Sequence, residues 1–162
     1  VTGPPERLGW DGFGAACGDL ARRVAADGYR PDAVLAVARG GLLPAGALAY
    51  ALGVKRVFLV NVEFYTGVDA RLPAPVLLPP ELRTSDLADA RLLVVDDIAD
   101  TGATLRLVRD LCRDDAGAVR TAVLYEKPRS VIRPDYAWRR TDRWVEFPWS
   151  ARAAGGGTPG GA

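Results

Sequence analysis

The chain has 162 residues, enough for one domain that buries most of its apolar surface around a core. Its 21 basic and 20 acidic residues leave a net charge of +1, without the basic excess of a general nucleic-acid binder, so no nucleic-acid partner is expected. No apolar run is long enough to cross a bilayer and no charged-then-apolar leader opens the sequence, so a soluble cytoplasmic protein with no membrane partner is expected.

In chain order, Asp11 is placed to cap a first helix whose inward face is Phe13, Ala16, Cys17, Leu20 and Val24, ending near Gly28. Pro31 precedes a strand, AVLAV at 33–37, followed by the loop ARGGLLP and a small-residue helix from Ala45 to Leu52. A third strand, RVFLVN at 56–61, leads into residues 63–90, which carry Pro73, Pro75, Pro79 and Pro80 and little periodicity. That stretch reads as a long mobile loop, and loops of such length in compact domains are usually functional.

Leu92 to Val95 form a continuous apolar run, the pattern of a parallel strand covered on both faces. The acids Asp96 and Asp97 then fall at its carboxyl end, with Asp97, Asp100, Thr101 and Gly102 in the exit loop. Leu105, Val108, Leu111 and Cys112 restart with helical spacing. A further strand, RTAVLYE at 120–126, is followed by an aromatic segment ending in RWVEFPWS, where Trp149 reads as a core aromatic. Residues 153–162, AAGGGTPGGA, have the composition of a disordered tail, which leaves 1–152 as a single domain without repeats. Cys17 and Cys112 both fall on helix stripes and suit buried thiols better than a disulfide or a metal site. Histidine is absent, so proton transfer falls to carboxylate, lysine or tyrosine, and a zinc site is disfavoured.

Strands alternating with helices predict an open, mostly parallel α/β sheet flanked by helices, with ligands bound beyond the carboxyl ends of the strands. Three loops converge there: ARGG, the 63–90 segment and DDIADTGAT. Asp100 to Thr104 offer backbone N–H groups and hydroxyls at a helix start, which suits a phosphate, and Gly102 allows close approach. Adjacent Asp96 and Asp97 suit a hydroxyl-rich ligand or hydrated magnesium. A sugar phosphate combines these features; the alternative is that the acids only cap the next helix.

VVDDIADTGATL resembles the phosphoribosyl-pyrophosphate motif of the type I phosphoribosyltransferases. AVARGGLLPAGALAYALGV, and YEKP, DYAW and RWVEFPW further on, are similar to bacterial xanthine-guanine and hypoxanthine phosphoribosyltransferases, over roughly residues 9–150. The resemblance implies Mg²⁺-dependent transfer of a phosphoribosyl group to a 6-oxopurine, in a homodimer or homotetramer. It implies that Asp96 and Asp97 face the ribose hydroxyls and Mg²⁺, directly or through water, and that Asp100 lies near purine N7. Asp100, Thr101, Gly102, Ala103 and Thr104 would cradle the 5′-phosphate. Arg39 and Gly40 would form the pyrophosphate loop, with a non-proline cis peptide, and Arg71 of the long loop would join them. Lys127 would read the 6-oxo group, Trp144 would stack on the base and Val145 would offer its backbone, all in a small hood over about 127–150. Two departures leave the preferred base open: the proline-rich 63–90 segment, and Ser150 where the enterobacterial enzymes carry an acid. Rival readings are transfer to adenine, a pyrimidine or a modified base, and a non-catalytic regulator that senses the sugar pyrophosphate.

Overall fold

A computed structural model describes residues 3–65, 74–78 and 82–150. In order, the elements are β1 (Glu6–Arg7), α1 (Trp10–Ala26), β2 (Ala33–Ala38), α2 (Leu42–Leu52), β3 (Arg56–Tyr65), β4 (Ala74–Leu78), a 3₁₀ turn (Thr84–Leu87), β5 (Arg91–Ala99), α3 (Ala103–Cys112), β6 (Ala118–Glu126), β7 (Tyr136–Arg140) and β8 (Val145–Glu146). Six strands form one sheet in the order β4-β3-β2-β5-β6-β7. Only the β3–β4 pairing in it is antiparallel. The expected open, mostly parallel sheet flanked by helices is what the chain forms.

The alternation of side chains along the central strands divides the core in two. Val34, Ala36, Leu93, Val95, Ala122 and Leu124 meet α1 and α2 through Ala16, Leu20, Val24 and Leu48. Ala33, Leu35, Val37, Leu92, Val94 and Val123 meet α3 and the 3₁₀ turn through Leu105, Val108, Cys112 and Leu87. Both faces of β2 and β5 are therefore dry, which is why these strands read as unbroken apolar runs. Cys17 and Cys112 are free, buried thiols, and burial pushes both up to about 11.

Several boundaries differ from the sequence reading, each for a local reason. Gly9, in extended conformation, precedes α1, and Asp11 lies in its first turn, where its charge favours the helix dipole without capping. The second helix begins at Leu42, because Pro44 falls in its first turn, where no N–H is needed. Most of ARGGLLP is thus turn and helix. Residues 63–90 are not one loop: β3 runs on to Tyr65 and pairs with β4 from Asn61↔Leu78 to Tyr65↔Ala74. Pro75 does not interrupt β4, because that strand lies at the sheet edge, where proline is tolerated. The acid pair lies inside β5, which continues to Ala99 because β6 pairs with it as far as Ala99↔Glu126. Arg71 and the 153–162 tail lie outside the described residues.

Candidate active site

The carboxyl ends of β2, β5 and β6 meet at one edge of the sheet. β2 leaves it through Arg39–Gly41 into α2, and the Ala38–Arg39 peptide is cis, as the resemblance implies. Arg39 is exposed at this edge. Gly41 is wedged against the Val37 and Val95 carbonyls, and a Cβ at Gly40 would fall inside the Asp97 carboxylate. Glycine is required at Gly40 for this close approach, which sets the β2 loop directly against the acid pair.

Asp96 is buried, and its Oδ1 accepts the Asp97 N–H at 2.9 Å. Burial, reinforced by the neighbouring Asp97 charge, pushes Asp96 well above the usual carboxylate range. Asp97 is also pushed up by burial, a shift opposed by the Trp149 indole N–H, which donates to its Oδ2 at 3.4 Å. Two adjacent, desolvated carboxylates favour neutral forms unless a cation joins them.

Gly102, with φ of 76° and buried, opens α3, and a Cβ there would collide with Ser130 Oγ. Thr101 Oγ1 accepts the Ala103 N–H at 3.3 Å, and Thr104 follows it in the first helical turn, where amides without intrahelical partners and the helix dipole favour an anion. Asp100 is held by Arg129, whose Nε and Nη2 donate to Oδ1 at 3.0 and 2.5 Å. The Lys127 N–H donates to Ala99 O at 3.0 Å and the Val131 N–H to Thr101 O at 2.8 Å, tying this loop to the segment after β6.

Lys127 itself is 6% exposed, and its Nζ donates to the Arg143 carbonyl. Among the described residues that carbonyl is the one hydrogen-bond acceptor of the ammonium, which carries three donors. Trp144, the next residue after Arg143, is 60% exposed. Its carbonyl and that of Glu146 are taken by the N–H groups of Glu6 on β1 and of Leu8 just after it, so alternation turns the Val145 backbone to the other side. The residues expected to read a base therefore cluster together, about the end of β6.

Three contacts were not anticipated. Arg129 and Ser130 meet the Asp100–Gly102 loop, a signal present in the KPRS run that follows β6, the neighbour of β5. Trp149 is core-like as expected, stacked on Phe147 at 4.8 Å and edge-on to Phe13 at 5.3 Å, yet it also bonds Asp97. No sequence spacing links residues 97 and 149.

The fold is that of an α/β protein whose sheet edge brings the acid pair of β5 beside the start of α3. The chain belongs to the phosphoribosyl transferase domain family, which it matches over residues 9–154. It is 33% identical over 118 residues to the xanthine-guanine phosphoribosyltransferase of Gluconobacter oxydans (strain 621H), covering 72% of this chain and 67% of that one. Identity is again 33%, over 154 residues, to the xanthine-guanine phosphoribosyltransferase of Ruegeria sp. (strain TM1040), covering 88% and 83% of the two chains. Among solved structures, the purine phosphoribosyltransferase from Pyrococcus horikoshii Ot3 aligns with a TM-score of 0.81 and 37% identity over 90% of this chain and 93% of that one. A xanthine-guanine-hypoxanthine phosphoribosyltransferase of Helicobacter pylori shares the fold, with a TM-score of 0.74 at 22% identity, over 91% and 95% of the chains.

Proposed function

We propose that the protein transfers the 5-phosphoribosyl group from phosphoribosyl pyrophosphate to N9 of a 6-oxopurine (hypoxanthine, guanine or xanthine), releasing pyrophosphate in a purine-salvage reaction. The observation that carries this reading is the juxtaposition of a buried lysine and an exposed tryptophan with the acid loop: Lys127 bonds that loop through its backbone N–H and the Trp144 segment through its Nζ. The names of the relatives agree with it.

The acid pair fits a magnesium ion. Among the described residues no group of three or more His, Cys, Asp or Glu side chains forms a metal cage. A pair of hard carboxylate oxygens is what Mg²⁺ uses when substrate phosphates and water complete its shell, and Asp96 and Asp97 would hold it directly or through water. When bound, the metal neutralises charge on the departing pyrophosphate.

The protein's own groups then divide the work. Purine N9 attacks the anomeric carbon as the bond to the pyrophosphate oxygen breaks, and positive charge gathers on the sugar ring. Asp96 and Asp97 orient the ribose hydroxyls and stabilise that charge. Thr101 to Thr104 hold the 5′-phosphate on the α3 amides, and Arg39 with Gly40 holds the leaving group. Asp100, aimed by Arg129, accepts the proton that the base gives up. Lys127 donates to the 6-oxo acceptor, the Val145 backbone meets the purine edge, and Trp144 stacks on the ring. Both substrates are metabolites of the cell interior, so the reaction belongs in the cytoplasm. The test is initial velocity with the sugar pyrophosphate, Mg²⁺ and each nucleobase in turn. Pyrophosphate release with a 6-oxopurine is expected; turnover only of adenine or a pyrimidine, or none at all, would refute the proposal.

The working unit in this reading is a homodimer or homotetramer. The α2 sequence LLPAGALAYAL carries no charge, and a helix apolar on every side belongs in an interior. Yet Leu42, Leu43 and Tyr50 of α2 are 44%, 40% and 93% exposed, and Val57 and Leu59 of β3 are 50% and 41% exposed. A second copy of the chain, presenting the same face, covers them.

A further inference from the structure

Residues 3–8 precede the region matched by the family, which begins at residue 9. They are nevertheless built into the segment that carries Arg143, Trp144 and Val145. The β1 strand pairs in parallel with β8, Glu6 opposite Val145 and Arg7 opposite Glu146. The Glu6 N–H donates to the Trp144 carbonyl at 2.8 Å, and the Leu8 N–H to the Glu146 carbonyl at 3.0 Å. Successive carbonyls of one short stretch are thus bound from two sides, Arg143 by the Lys127 ammonium and Trp144 by Glu6.

Anchoring alone does not account for Glu6. Leu8, 5% exposed within the core, already fastens this strap by apolar burial. Arg7 and Glu146 pair at 2.7 Å, but with side chains 78% and 42% exposed that contact holds little. The Glu6 side chain is only 14% exposed, and a carboxylate so placed must be paired. Its charged partners are Arg139 at 3.3 Å and Arg143 at 3.7 Å, and the buried Tyr125 hydroxyl also faces it. One of those two arginines is the residue whose carbonyl receives Lys127.

We propose that the strap at residues 3–8 sets base selectivity, with Glu6 as a positioning residue that holds Arg143, and so keeps the Arg143 carbonyl on Lys127 with the ammonium's remaining donors facing the base. The proposal rests on the reading of Lys127 as the group that contacts the purine. Without the Glu6 carboxylate the 143–145 stretch keeps its backbone pairing but loses its charge anchor, and the carbonyl that aims the ammonium is less firmly placed. Among the described residues no hydrogen bond or ion pair joins the strap to β2, β5 or α3, which build the sugar-pyrophosphate side.

The test compares purified full-length Glu6→Ala, Arg7→Ala and Lys127→Ala proteins, each checked for folding by thermal melting. For Glu6→Ala, KM for hypoxanthine should rise about tenfold, and the preference for hypoxanthine over adenine should fall by a similar factor, as expected when a binding group is no longer aimed. Calorimetric affinity for phosphoribosyl pyrophosphate with Mg²⁺ and no base should stay unchanged, and Arg7→Ala should match wild type throughout. Should Glu6→Ala fail to fold, Arg143→Met removes the same link while Glu6 keeps Arg139, and is expected to shift KM and selectivity in the same direction. A folded variant with wild-type KM and selectivity, or one whose sugar-pyrophosphate affinity falls in parallel, overturns the proposal. Unaltered selectivity in Lys127→Ala would instead remove the base-reading assignment on which it rests.

Discussion

Gly40→Ala separates the architecture of the acid pair from the stability of the fold. The backbone at Gly40 is not left-handed, so alanine introduces no φ strain, and the three atoms nearest the added Cβ all belong to the Asp97 carboxylate. Asp97 must swing away and give up its 3.4 Å bond from Trp149. That bond is long, so its loss costs about 1 kcal/mol, while replacing glycine restricts the unfolded chain and returns about 0.4–1 kcal/mol. The two nearly cancel, and the melting temperature should move by no more than about 4 °C. Binding is affected far more. A carboxylate displaced by about 1 Å from a site that must orient ribose and Mg²⁺ costs on the order of 10²-fold. Calorimetric titration with phosphoribosyl pyrophosphate and Mg²⁺ reads this directly. Gly14→Ala is the control: it lies exposed on α1 with nothing within 4 Å of the added Cβ, and should raise stability by about 0.5–1 kcal/mol with unchanged binding. A folded Gly40→Ala protein that binds the sugar pyrophosphate as wild type does would show that the Asp97 position is immaterial to the site.

Asp100→Asn keeps an acceptor for Arg129 but loses the proton acceptor, so turnover should fall roughly 10²–10⁴-fold with little change in melting temperature; unchanged turnover would leave Asp100 as a loop cap only. Tyr29 donates to the Leu92 carbonyl at 2.8 Å, and burial pushes its hydroxyl up to about 12. A pKa raised in the folded state gives stability that is complete below the unfolded value of about 10 and is lost as pH rises toward 12, so denaturant melts should lose more between those limits in wild type than in Tyr29→Phe. Equal losses would contradict the assignment. On the α2–β3 face, Leu59→Asp places a charge in the apolar patch and should convert a dimer to a monomer in sedimentation; a wild-type monomer, or a variant that remains dimeric, would reject that face as the contact.

The sheet was legible in the sequence because its central strands are buried on both faces and α1 and α3 carry a clean stripe. The acid loop was legible because a strand, carboxylates, glycine and hydroxyls follow one another without a gap. What escaped notice depends on distant parts of the chain. β4 and the end of β3 were hidden by proline, whose meaning in a strand depends on whether that strand lies at an edge. β1 and β8 are two residues long and owe their form to each other, so neither has a pattern of its own. The Trp149–Asp97 and Arg129–Asp100 contacts arise from the order of strands in the sheet, which brings the loops after β2, β5 and β6 to one place. Composition carries no trace of such pairings.

The central claim is that Lys127 and its surroundings read a 6-oxo acceptor. Adenine presents an N–H donor at that position, which would face an ammonium with no acceptor between them, whereas a hydrogen bond from a charged group is worth about 1.5–3 kcal/mol. A site built for one hydrogen-bond pattern rejects the opposite pattern sharply. The deciding measurement is kcat/KM for hypoxanthine and for adenine in wild type and in Lys127→Ala. The account predicts a wild-type preference for hypoxanthine of at least about tenfold, collapsing toward unity when the lysine is removed; a wild-type preference for adenine, or an undiminished hypoxanthine preference in Lys127→Ala, would contradict it.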